Sequence, residues 1–181
     1  MDIEVLTLKN FLGESVKVYR DTDNNIIVDG DIHVSPDDRT FDHMPVKIHK
    51  LNGDILWHSE NCVKNNLKSL INFPDIVNGN VRIFGNPMLK SLKYCPIEIN
   101  GNFECDRCSI TSFDGISQKI TGNLIASFNP IANTAALESL DIKGCISIID
   151  TSILNPKMSV KTGNNNSSII ADYYSEHEGG F

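Results

Sequence analysis

One short signature constrains this chain more than any other feature: an apolar residue, a spacer, Gly, one small or polar residue, then an apolar residue again. It occurs at Val28-Asp-Gly30-Asp-Ile32, Leu51-Asn-Gly53-Asp-Ile55 and Val77-Asn-Gly79-Asn-Val81. It recurs at Ile99-Asn-Gly101-Asn-Phe103, Ile120-Thr-Gly122-Asn-Leu124 and Ile142-Lys-Gly144-Cys-Ile146. Successive glycines are 23, 26, 22, 21 and 22 residues apart. A period of this size predicts a solenoid, in which each unit hides its apolar face only by stacking on its neighbours. The glycines are expected at bends, where positive φ is needed.

The second half of each unit keeps the same register. Leu67-Lys-Ser-Leu70, Leu89-Lys-Ser-Leu92 and Ile110-Thr-Ser-Phe113 are three copies of one tetrad, and Pro74 and Pro96 follow two of them. Proline cannot donate to a ladder, so these segments suit the side of a coil that carries no sheet. Asn86, Cys108, Asn129 and Thr151 occupy one inward polar position, placed to satisfy backbone groups at the bend leaving a strand. Units of 21–26 residues leave little room for helices, so the expected architecture is mainly β with a parallel sheet.

These tetrads, with Gly101-Asn-Phe-Glu-Cys105 and the Pro and Ile-x-Gly that close a unit, resemble a family of leucine-rich-repeat-like proteins of bacteriophages and some bacteria. The likeness spans residues 26 to 154 and is best in the third to fifth units. It implies a right-handed leucine-rich-repeat-like solenoid used for binding, with no catalytic residue to transfer. It also implies a phage-encoded protein that inhibits or redirects a host cytosolic protein, such as a defence component.

Three regions are expected. Residues 1–25 read as an N-terminal capping hairpin: Ser15–Arg20 and Asn25–Val28 are strand-like and flank Asp21-Thr-Asp-Asn24. Asp21, Asp23 and Asn25 mimic the start of a calcium loop. Ile26 stands where that loop needs Gly and Ile32 where it needs Glu, so a plain turn is the reading. Residues 26–156 hold about six repeats, with extra residues near 46–50 and 60–66 that read as tolerated loops or functional rims. Residues 157–181 read as a linker and a cap or tail. There Ile169, Ile170, Tyr173 and Tyr174 fall at helical spacing, which predicts a short C-terminal helix. A tail that docks on a partner through its tyrosines is the alternative.

Charge and cysteine usage narrow the function. The net charge is −7, and residues 1–60 hold 12 acids against 6 bases. Phosphate contacts need clustered Lys and Arg, so direct nucleic-acid binding is disfavoured. No apolar run reaches the ~18–20 residues of a membrane helix. No secretory signal is visible, so the five cysteines read as reduced thiols of a cytoplasmic protein. Cys105-x-x-Cys108 lacks the second pair or histidines a zinc site needs, and both thiols fall on inward positions. No nucleophile motif or phosphate loop appears, so the reading is a non-enzyme with no cofactor and no metal.

Strand alternation supplies the candidate site. If Ile55/Trp57, Val81/Ile83, Phe103/Cys105, Leu124/Ala126 and Ile146/Ile148 face inward, two outward columns follow. One is His33, Leu56, Arg82, Glu104, Ile125, Ser147. The other is Ser35, His58, Phe84, Asp106, Ser127, Ile149, with Arg107 and Phe128 just after. The predicted partner-binding residues are Leu56, His58, Arg82, Phe84, Glu104, Asp106, Arg107, Ile125 and Phe128. Contiguous apolar residues beside arginines mark a protein-binding face on a monomer or weak homo-oligomer. The alternatives are an acidic decoy of nucleic acid using the acids at 29, 31, 37, 38, 42, 54 and 60, a virion structural protein, or an enzyme with a hidden carboxylate site.

Overall fold

The computed structural model describes residues 2–34, 41–58 and 66–148, with the backbone of Ile169 and Ile170. The chain winds into a parallel β-solenoid of about five turns. Two seven-stranded sheets run along it rather than one. In the first, β1 (Lys17–Arg20) pairs antiparallel with β2 (Ile26–Asp29). Parallel rungs at Lys50–Asn52, Ile76–Val77, Glu98–Ile99, Lys119–Ile120 and Asp141–Ile142 continue it. The second sheet is all parallel: Ile32–His33, Ile55–Leu56, Val81–Arg82, Phe103–Glu104, Leu124–Ile125, Ile146–Ser147 and Ile169–Ile170. The Leu-Lys-Ser-Leu tetrads form a third side without regular strands.

Each side sends one apolar column inward. Val28, Leu51, Val77, Ile99, Ile120 and Ile142 come from the first sheet, and Ile32, Ile55, Val81, Phe103, Leu124 and Ile146 from the second. Leu67, Leu70, Leu89, Leu92, Ile110 and Phe113 close the core from the third side, all fully buried. Burying one such side chain contributes roughly 1.5–3 kcal/mol, so the stacked columns hold the coils together. Around residue 46 the extra length is core: Met44 and Ile48 are fully buried.

The glycine between the sheets is a finding of its own. Of the six signature glycines only Gly30 has positive φ, at +113°. The others are needed for close approach. A Cβ on Gly53, Gly79, Gly101, Gly122 or Gly144 would lie within 2.7 Å of the carbonyl carbon of the glycine one coil earlier. Side chains on both sides lock this corner. Before the glycine, Asn52 Nδ2 donates to Asp29 Oδ1 (2.6 Å), Asn78 to Asn52 (2.8 Å) and Asn100 to Asn78 (3.0 Å). After it, the backbone N–H groups of Asp54, Asn80, Asn102, Asn123 and Cys145 each donate to the Oδ1 of the Asp or Asn one coil earlier, at 2.7–2.9 Å.

The bend leaving the second sheet is held from inside, as the sequence led us to expect. Asn86 Nδ2 donates to Trp57 O (2.8 Å) and Ile83 O (2.7 Å), and Asn129 Nδ2 to Cys105 O (2.8 Å) and Ala126 O (3.1 Å). Cys108 takes the same place between them, its thiol 3.4 Å from Ile83 O. Thr151 lies outside the described residues.

Both ends differ from expectation. The N-terminal cap is a helix as well as a hairpin: α1 spans Ile3–Leu12, with Asp2 Oδ1 accepting from Glu4 and Val5 N–H, and Gly13 ending it at φ +79°. Its Leu8 is fully buried, and Phe11 lies edge-on to Phe41 with ring centroids 4.6 Å apart. The helix shields apolar residues of the first coil, and Arg20 ties its acidic start, Asp2 and Glu4, to the hairpin. The turn at Asp21 is plain, with its Oδ1 accepting from Asp23 and Asn25 N–H at 2.9 Å. At the other end, Ile169 and Ile170 are a strand, not the first turn of a helix. They lie 23 residues past Ile146, one coil period, and their backbone pairs with the otherwise open edge of the second sheet. The stack therefore extends past residue 156. The rest of the linker and tail, Tyr173 and Tyr174 included, lies outside the described residues.

Candidate protein-binding face

The outward side of the second sheet carries the nine predicted residues in the expected register. Leu56, Arg82, Glu104 and Ile125 are consecutive rungs of one column, continued by His33 before and Ser147 after. All four are half-buried, as a flat outward sheet face dictates. Arg82 Nε lies 3.2 Å from Glu104 Oε1, so these opposite charges on adjacent rungs neutralise each other. His58 and Phe84 stack one rung apart, with centroids 4.4 Å apart and planes 12° from parallel. His33 extends the stack at 6.5 Å. Ser35 and Ile149 lie outside the described residues.

Asp106 follows Phe84 in that column. Its Oδ1 accepts from Ser127 N–H at 2.8 Å, and burial with nearby Glu104 holds its carboxyl above the ordinary aspartate value. Ser127, expected to point outward, is 4% exposed.

Arg107 and Phe128 hold equivalent places in successive coils, at the bend just after the sheet. Both have left-handed backbone, φ +50° and +57°, and the equivalent residue of the preceding coil is Gly85, at φ +71°. Large side chains avoid this region because Cβ crowds the carbonyl. Here it carries the Arg107 guanidinium over the Phe128 ring at 5.2 Å, with Phe128 44% exposed. The alternation pattern placed both residues but gave no sign of this backbone. Gly85, in the same place one coil earlier, was the available signal.

The first sheet, wound from the same coils, presents a different outward surface. Lys119 reaches Glu98 at 2.7 Å, Lys143 reaches Asp141 at 2.6 Å, and the Asp29–Asn52–Asn78–Asn100 ladder runs beside them. Those polar groups satisfy one another. The interior offers no activated nucleophile: Cys105 and Cys108 are buried free thiols, and burial pushes the Cys95 thiol up to about 12. Among the described residues no helix is long and apolar enough to cross a membrane. The class defined by fold and surface is a parallel β-solenoid with one apolar, aromatic sheet face. Comparison with protein-family profiles, curated proteins and solved structures finds no match to this chain.

Proposed function

We propose that this chain is a protein-interaction module that binds its partner through the outward face of the second sheet. In the setting implied by the phage-type repeat, it is a phage-encoded cytoplasmic protein that inhibits or redirects a host protein. One observation carries the reading. Arg107 and Phe128 are held exposed on left-handed backbone, where the previous coil uses Gly85. Strain of this kind collects at working sites, and it lies here beside the His58–Phe84 stack, Leu56 and Ile125.

This reading is preferred to the acidic decoy. Asp29, Asp31 and Asp54 already accept ladder hydrogen bonds, and Asp42 is paired with His43 and Lys68. Affinity capture from host lysate, followed by binding measurements on the purified partner, tests it. The Phe84→Ala/Phe128→Ala variant loses the partner at low and high salt alike. A partner kept by that variant and stripped by salt points to the decoy instead.

A further inference from the structure

We infer that the occupant of this face is a segment of a partner protein presenting a Lys or Arg between apolar side chains, with the cation seated on Asp106. The inference rests on the reading of the second sheet as the binding face and goes on to its chemistry.

The charges of the face leave one group for a counter-ion from outside. Arg82 and Glu104 pair with each other at 3.2 Å. Arg107 lies over the Phe128 ring. Asp106 spends one carboxylate oxygen on Ser127 N–H, and among the described residues no cation lies within ion-pair distance of it. A partly desolvated carboxylate gains most from a partner's cation, because little of its own hydration remains to be stripped.

The surroundings select the rest of the segment. Phe84 lies one coil before Asp106 and Phe128 one coil after, on the same outward side. Two rungs span ~9.6 Å, which an extended segment covers in about three residues. A cation with an apolar neighbour on each side therefore meets Phe84, Asp106 and Phe128 together. The chain's net charge of −7 steers a basic segment towards it and an acidic one away.

The test uses the full chain and a bead-displayed library of random 12-residue peptides, with selected peptides resynthesised for titration. The expected result is enrichment of Lys or Arg flanked by apolar residues. Binding should weaken about tenfold or more in Asp106→Asn, which keeps the acceptor for Ser127 N–H, and stay unchanged in Glu98→Gln on the other sheet. Selected peptides that lack a cation yet are lost in Phe128→Ala would overturn the proposed chemistry while sustaining the face. Peptides indifferent to both Asp106→Asn and Phe128→Ala, or no selection at all, would overturn the face as well.

Discussion

The Arg107 guanidinium lies 5.2 Å from the centre of the Phe128 ring, one coil away, and both residues stand in the backbone region that Gly85 occupies before them. Relieving a left-handed non-glycine residue gains about 1–2 kcal/mol, and the added freedom of Gly in the unfolded chain costs about 0.5–1 kcal/mol. Arg107→Gly and Phe128→Gly should each raise stability by about 0.5–1 kcal/mol in urea titrations while weakening partner binding. A loss of stability in both would mean that the backbone is not strained there.

Two glycines separate close approach from backbone conformation. Gly101 has ordinary φ, and a methyl group on it would meet the carbonyl carbon of Gly79 at 2.6 Å. Gly13 has φ +79° with nothing within 4 Å of an added Cβ. Gly101→Ala should cost about 3 kcal/mol by overpacking, and Gly13→Ala about 1 kcal/mol. Chemical denaturation of both variants checks the order, and equal costs would remove the packing explanation.

Asn129 serves three backbone groups at once: Nδ2 donates to Cys105 O and Ala126 O, and Oδ1 accepts from Ile110 N–H. Leucine at this position fills similar space and leaves all three buried without that partner. Asn129→Leu should destabilise by about 2–4 kcal/mol. A near-neutral result in thermal unfolding would show that the bend does not depend on the inward amide.

The raised Asp106 carboxyl fixes the sign of a pH effect. Burial is the main cause, and the Ser127 hydrogen bond opposes it. The folded state therefore holds this proton more tightly than the unfolded chain does. Asp106 adds stability as pH falls through its folded value towards the ordinary aspartate value, and its charge is a cost near neutrality. Asp106→Asn should be more stable than wild type at neutral pH, with the difference shrinking into the acid limb. Unfolding midpoints across that range give the comparison, and a difference that grows in acid would reverse the assignment.

Much of this was legible because the repeat is written in residue types. The inward columns and the order His33, Leu56, Arg82, Glu104, Ile125, Ser147 follow from period and alternation alone. The glycine was legible as a position but not as a cause. Its role lies in a neighbour some 22 residues away, and local turn chemistry pointed to positive φ instead. The tetrad serine acts locally: Ser69, Ser91 and Ser112 accept from the N–H of Ile71, Lys93 and Asp114. The helix Ile3–Leu12 was overlooked although Asp2 and Gly13 bracket it, because the strand-like Ser15–Arg20 drew the reading of the whole terminus. At Ile169 and Ile170 a two-residue apolar pair carries no period of its own, and the open sheet edge decided its form.

The corner at each signature glycine makes every coil a template for the next. The oxygen of Asn80 is the mould for the backbone of Asn102, and that of Asn102 for Asn123. Length is thereby uncoupled from shape: removing one whole period, as between Gly79 and Gly101, rejoins like to like and shortens the binding face by a single step. Such a chain can tune the reach of its grip in whole-number increments without inventing a new fold.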